Sequence, residues 1–147
     1  LEDAVADEDV VEFEHLHVDN AGAMLVGNPQ RFDLVVTTNA PGDILSDVGV
    51  ATVGGLGLAP SGVYGDDVAY FEPVHGTAPD IEGQEIINPT ATVLSADLLL
   101  EYLGFDDAAT RLVGAVEAVY AEGTSLTPDQ GGSASTSEMV EAIAGHL

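Results

Sequence analysis

Apolar residues change their spacing several times along the chain, and each change predicts an element. Residues 13–19, FEHLHVD, read as a short strand, and residues 20–29, NAGAMLVGNP, as a short helix ended by Asn28 and Pro29. The run FDLVVTT, residues 32–38, has the β-branched apolar character of a buried strand. In GDILSDVGVATV, residues 42–53, Ile44, Leu45 and Val48 fall at helical spacing beside Asp43 and Asp47. The glycine-rich GGLGLAPSGVYGDD, residues 54–67, predicts loop and tight turns and marks the expected domain boundary.

Beyond that boundary the punctuation is sharper. VAYFEPVHG predicts a strand running into a loop at Pro73, and HGTAPDIEGQEIINP predicts irregular chain up to Pro89. Residues 89–104 begin with proline, carry apolar residues on one face and end in glycine, as a helix should. Residues 106–123 repeat the pattern with Leu112, Val113, Val116, Val119 and Tyr120 as the core stripe, and Ser135 with Glu138 forms a capping box for a closing helix. Strands mixed with helices predict an α/β fold.

Composition adds a constraint. The 147 residues are 46% hydrophobic with a mean hydropathy of +0.21, enough apolar material for a packed core. Yet 26 Asp and Glu face two basic residues, Arg31 and Arg111, and the net charge is −24. Such a chain repels nucleic acid and anionic membranes, so neither is an expected partner. Outside the first fourteen residues the acids are scattered among apolar positions and not gathered in a tail, which points to the solvated surface of a halophilic protein. In molar salt the Debye length falls to roughly 3 Å and self-repulsion is screened. The absence of cysteine excludes disulfides, thiolate catalysis and cysteine-ligated metals. No run reaches the ~20 apolar residues of a membrane span, and no basic segment leads into an apolar one at the N-terminus, so the cytoplasm is the expected location. The first residue is Leu1 and not methionine, which points to processing or to a missing N-terminal part.

Two patterns carry candidate chemistry. Asp43 and Asp47, four residues apart, project from one helical face, and like charges so placed cost a few tenths of a kcal/mol unless a cation lies between them. Mg²⁺ or Mn²⁺ would suit such a pair. On spacing alone a solvated acidic face is the simpler account. His15, His17 and His146 are isolated and read as structural or surface residues. His75 lies in the irregular EPVHGTAPD stretch near a carboxylate, Asp80, where glycine and proline free main-chain groups for a ligand. GGLGLAP has the opening of a dinucleotide fingerprint, but Pro60 stands where its third glycine belongs, which argues against a Rossmann fold.

Taken in order, VDNAGAMLV, NAPGDILSD, GGLGLAPS, FEPVHGTAPDIEGQEIINPTATVLSADLLLEYLG and LTPDQGGSAST resemble the C-terminal part of the 3-isopropylmalate dehydrogenases, within the isocitrate/isopropylmalate β-decarboxylating dehydrogenases. The likeness runs over nearly the whole chain from about residue 13. It implies that family's two-domain α/β fold, with residues 1–53 belonging to the smaller, dimer-forming domain and 54–147 to the larger one. It further implies a divalent metal, Mg²⁺ or Mn²⁺, held by Asp43 and Asp47 together with Asp19 from the neighbouring subunit of a homodimer, Asp19 also reaching the substrate. NAD would lie along the 75–88 segment. His75 and Asn88 would flank the adenine, Gly76, Thr77, Ala78 and Pro79 would shape the chain around the adenosine, Ile81 would also bind the cofactor, and Glu72 would lie near the nicotinamide ribose. Asp80 would accept hydrogen bonds from the ribose 2′-hydroxyl and repel a 2′-phosphate, favouring NAD over NADP.

The implied activity is oxidation of 3-isopropylmalate to 2-oxoisocaproate and CO₂ in leucine biosynthesis. Isocitrate, homoisocitrate and tartrate are the alternative substrates, and a non-catalytic regulatory nucleotide-binding subunit is the alternative of another class. Two departures stand out. Ala40 and Pro41 replace two bulky apolar residues of the family pattern ahead of GDILSD. The family's catalytic lysine and tyrosine, and its substrate-gripping arginines, fall upstream of Leu1. A chain without lysine holds no such general base and is expected to be inactive alone.

Overall fold

The computed structural model describes residues 12–147, in two compact units, one ending at Gly49 and the other spanning Val50–Leu147. In the first unit, helix α1 (Val18–Gly27) carries Asp19 in its first turn, where a carboxylate faces the positive end of the helix dipole. It stops at Asn28, whose N–H bonds to Met24 O at 2.7 Å, because Pro29 has no N–H with which to continue. A single 3₁₀ turn, Pro29–Arg31, follows, and Arg31 is paired with Glu14.

Both strands expected in this unit are absent. Residues 13–17 are irregular and α1 begins at Val18, inside the stretch predicted as strand. Residues 32–38 carry no regular structure either, and Leu34, Val35 and Val36 are 80%, 41% and 59% exposed. A strand is completed by a neighbour's N–H and C=O groups, and among the described residues nothing pairs with either run.

Helix α2 (Asn39–Thr52) starts three residues ahead of its predicted beginning. Pro41 fits in its first turn, where no intrahelical N–H bond is needed, and Gly42 N–H closes the turn on Thr38 O at 2.9 Å. Of the predicted stripe, Leu45 is buried and Val48 half-buried, whereas Ile44 is exposed. Gly22 of α1 admits Leu45, whose Cδ2 lies 3.7 Å from where a glycine Cβ would stand.

The second unit opens with a correction. Residues 60–64, predicted as loop, form strand β1 (Pro60–Tyr64), which pairs antiparallel with β2 (Ala69–Pro73). Proline and glycine are poor strand formers, but Pro60 sits opposite Pro73 at the open end of the ladder, where a missing N–H costs least. Tyr64 packs edge-to-face on Phe71 at a centroid distance of 5.4 Å, and Tyr102 lies tilted against Tyr64 and Phe71 at 5.9 and 5.7 Å, which fixes the hairpin on helix α3 (Thr90–Tyr102). A hairpin straight after the glycine-rich stretch is not the strand–turn–helix of a Rossmann unit.

Helices α3, α4 (Asp106–Glu122) and α5 (Thr136–Gly145) follow their predicted spans closely. Ala115, Val116 and Val119 of α4 pack on Met139 and Ile143 of α5, with Val93, Tyr120 and Leu126 around them. Burying side chains of this size stabilises by roughly 1.5–3 kcal/mol each, so this cluster anchors the unit. Gly123 ends α4 in the left-handed conformation, φ 67°, as a glycine beyond a helix end does. No helix among the described residues is long and apolar enough to cross a membrane.

The predicted capping box is formed: Ser135 Oγ accepts Glu138 N–H at 3.2 Å, and Glu138 Oε2 accepts Ser135 N–H at 2.7 Å. The main-chain N–H of Ser135, then its hydroxyl, hold the Glu138 carboxyl below its ordinary value of 4.5. A depressed carboxyl pKa stabilises the fold above the unfolded value, and the contribution is lost as pH falls through the folded one. Ser135→Ala is therefore expected to lower Tm by roughly 2–4 °C at pH 7. The difference should narrow as pH falls through the depressed Glu138 value, and melts of parent and variant across pH test both parts.

Candidate active site

The α2 carboxylates stand where their spacing predicts. Asp43 and Asp47 are both exposed, on the side of the helix away from buried Leu45. Asn39 Nδ2 donates to Asp43 Oδ2 at 3.0 Å, which orients that carboxylate without neutralising it. Asp19 is exposed on α1, with Oδ1 accepting the neighbouring Asn20 N–H at 2.8 Å. Among the described residues no three His, Asp or Glu side chains gather as a metal site, so Asp19 of the same chain does not complete the pair.

The second group of candidates lies on the chain from β2 to α3. Glu72 and Tyr70 fall on the exposed face of β2, so Glu72 leads outward into the loop. His75 Nδ1 lies 3.0 Å from Gly76 O, a group that only accepts, so Nδ1 carries the proton in that bond. Nε2 is then a bare acceptor, and it is buried with no partner. Gly76 has open space where a Cβ would be. Ala78 takes the left-handed conformation at φ 45°, capping the short turn Pro79–Ile81 that exposes the Asp80 side chain; the Asp80 main-chain O accepts Gln84 Nε2 at 3.1 Å. Among the described residues only Ala78 and Glu85 are non-glycine at positive φ. Such strain costs roughly 1–3 kcal/mol and collects at ligand-binding segments.

Asn88 occupies a different setting from a flexible ligand-facing amide. It is 3% exposed. Its Nδ2 donates to Tyr120 Oη and to Asp129 Oδ2, both at 3.0 Å, and its Oδ1 accepts Thr90 N–H at 3.0 Å at the start of α3. Asp129 Oδ1 accepts the Thr127 hydroxyl at 2.6 Å, and Oδ2 also accepts Gln130 Nε2 at 2.9 Å. Gln130 in turn donates to Gly54 O at 2.9 Å. Burial pushes the Asp129 carboxyl up, but the hydrogen bonds from Thr127, Gln130 and Asn88 outweigh it and hold the group below its ordinary range.

The residues around 85–88 are tied down a second time. Thr136 N–H bonds Glu85 O at 2.8 Å, Thr136 Oγ1 bonds Ile87 O at 2.6 Å, and Ser137 Oγ bonds Glu85 Oε2 at 2.9 Å. Tyr120, Thr127, Asp129 and Gln130 were not among the site candidates, because the contacts that recruit them cross long stretches of chain. The LTPDQGG motif was visible, but nothing local to it names Asn88 as its partner.

A family model described as isocitrate/isopropylmalate dehydrogenase matches residues 2–143. The chain belongs to this family. It is 51% identical over 143 residues to an isocitrate/homoisocitrate dehydrogenase of Thermus thermophilus, covering 97% of this chain and 42% of that protein. It is 52% identical over 141 residues to a 3-isopropylmalate/3-methylmalate dehydrogenase of Methanocaldococcus jannaschii, covering 95% and 42%. Among crystal structures, the TT0538 protein of Thermus thermophilus matches with a TM-score of 0.96 at 44% identity, over 99% of this chain and 30% of that one. An isocitrate dehydrogenase of Methylococcus capsulatus matches with a TM-score of 0.92 at 42% identity, over 98% and 43%.

The chain thus spans about two-fifths of the curated relatives it matches. Relatives named for different substrates are equally similar to it, so the part of an isocitrate/isopropylmalate dehydrogenase present here does not distinguish those substrates.

Proposed function

We propose that this chain is the C-terminal part of an NAD-dependent 3-isopropylmalate dehydrogenase, which oxidises and decarboxylates its substrate with Mg²⁺ or Mn²⁺ and works as a homodimer. The observation that carries the nucleotide half of this reading is the loop ahead of α3. It is anchored from behind by Asn88 and α5, and it holds a strained Ala78 and a buried, unpartnered His75 Nε2 that no protein contact uses. The empty space at Gly76 leaves room for close approach of a nucleotide to the main chain. Because the Asn88 amide is spent on Tyr120, Asp129 and Thr90, its contact with adenine is assigned to the main chain.

The exposed Asp43 and Asp47 supply hard anionic oxygens that fit Mg²⁺ or Mn²⁺, with the third ligand, Asp19, coming from a second copy. A metal bound there supplies Lewis-acid stabilisation of charge on substrate oxygen, and NAD⁺ supplies the hydride acceptor. In this reading the carboxylates of this chain hold and orient, and the chain has no lysine to serve as the base that the family resemblance implies.

The test is turnover by the full-length protein with NAD⁺ and Mg²⁺ on 3-isopropylmalate, isocitrate and homoisocitrate in parallel. NADH formation fastest with 3-isopropylmalate supports the reading, and no turnover of it refutes the reading. The isocitrate/homoisocitrate alternative is kept by the 51% identity to a relative of that name. Coenzyme choice is separately testable. Asp80→Lys is expected to raise KM for NAD⁺ about tenfold or more, by removing a charged acceptor from the ribose, and to improve the use of NADP⁺. An unchanged NAD⁺ to NADP⁺ preference would remove Asp80 from that role.

A further inference from the structure

We infer that Asp129 is a positioning residue for nucleotide binding: acting through the Asn88 side chain, it fixes the main chain at the end of the 75–88 loop. The inference rests on the proposed nucleotide reading of that loop. Three donors converge on one carboxylate, from Thr127, Gln130 and Asn88. An asparagine at 129 offers one acceptor oxygen and one donor nitrogen to the same three donors, so at least one of them loses its acceptor. Asn88 has no slack with which to adapt. Both its amide hydrogens and its oxygen are engaged, and a Cβ on Gly57 would stand 2.8 Å from Asn88 Cβ and 3.1 Å from Asp129 Oδ2. Glycine at 57 is thus a packing requirement against this amide.

The two anchors of the loop differ in kind. The bonds from Thr136 and Ser137 hold residues 85 and 87 through their main chain and the Glu85 side chain. Asn88 is held through its own side chain, by the Tyr120 hydroxyl, the Asp129 carboxylate and the Thr90 main-chain N–H, and of these three partners only Asp129 is charged. Charge-assisted hydrogen bonds are roughly twice as strong as neutral ones, so Asp129 dominates the orientation of Asn88. Asn88 Oδ1 accepts the first N–H of α3, at Thr90, while the Pro89 carbonyl accepts Val93 N–H at 3.0 Å, so a displaced Asn88 would shift the main chain proposed to face the nucleotide and loosen only the first bond of the helix.

The test uses the full-length protein and reads NADH and ADP-ribose binding by titration, alongside steady-state kinetics. Asp129→Asn is expected to weaken both ligands and raise KM for NAD⁺ about tenfold, while kcat and the KM for the hydroxy acid stay within about twofold. Tyr120→Phe keeps the ring and removes one Asn88 partner, and should weaken nucleotide binding about threefold. Adding Asp129→Asn to Asn88→Ala should change binding less than about twofold beyond Asn88→Ala alone, because the path through Asn88 is already cut.

Nucleotide affinity unchanged in Asp129→Asn, equal losses for nucleotide and hydroxy acid, or additive losses in the double variant would each overturn the inference. Should Asp129→Asn fail to fold, Tyr120→Phe decides alone, and parent-like nucleotide affinity there overturns it. A parent that binds NADH without oxidising 3-isopropylmalate refutes the substrate assignment only, whereas one that binds no nucleotide refutes both.

Discussion

Asp47→Asn in the full-length protein is expected to lower turnover by about two to three orders of magnitude while leaving α2 as stable as before, or slightly more so. The amide is nearly isosteric with the carboxylate, so the packing of Leu45 on the opposite face is untouched. It removes one of two like charges a single helical turn apart, relieving a few tenths of a kcal/mol of repulsion. It also removes an anionic oxygen that a hard divalent cation requires, so the Mg²⁺ concentration for half-activation should rise by about tenfold or more. Stability and activity moving in opposite directions is the signature of a charge kept for function. A solvated acidic face predicts the first effect without the second, so an Asp47→Asn variant with parent-like turnover and Mg²⁺ dependence would dispose of the metal assignment.

Gly132→Ala is expected to be the most damaging single-methyl addition in the chain. A Cβ there would lie 1.9 Å from Leu126 O and 2.5 Å from Leu126 C, both main-chain atoms with nowhere to go. The turn is closed by Gly132 N–H to Thr127 O at 3.1 Å and Ala134 N–H to Leu126 O at 2.9 Å, so relieving the clash pulls apart bonds that place Thr127 and Asp129. A loss of about 3–5 kcal/mol is expected, enough to unfold a marginal domain, with nucleotide affinity falling in whatever remains folded. The control is Gly114→Ala in α4, where no atom lies within 4 Å of the added methyl, and which should stabilise by roughly 0.5–1 kcal/mol. Urea denaturation of the pair separates the clash from any general effect of removing glycine. Equal stability of Gly132→Ala and the parent would show that the turn is looser than its geometry.

What could be read in the sequence follows how local each signal is. Helices α3, α4 and α5 announced themselves because Pro89, Gly123, Ser135 and Glu138 act within a few residues of the ends they define. The expected strand at 32–38 failed for the opposite reason: a β-branched run states a preference, but only a neighbouring strand completes it. In β1 the same fact worked in reverse, since pairing with β2 carried Pro60 and Gly62 into a ladder their propensities oppose. Within the candidate site, Asp43, Asp47, His75 and Asp80 sit in contiguous motifs and were legible through them. Asp129 was not, because its bond to Asn88 crosses 41 residues and leaves no periodic trace.

That same distance shapes how the molecule assembles. The contacts of α3 with α4 and of α4 with α5 join consecutive elements, whereas the bond from Gln130 to Gly54 closes a loop of 76 residues. Closing so long a loop costs entropy before it returns any contact, so the helical layer is expected to form early and the clasp through Gln130, Asp129 and Asn88 late. Its amide protons should exchange with solvent ahead of those in the Met139 and Val119 core. A nucleotide bound on that clasp would then brace the last-formed part of the fold, and protection against exchange would report occupancy before any global melting temperature moved.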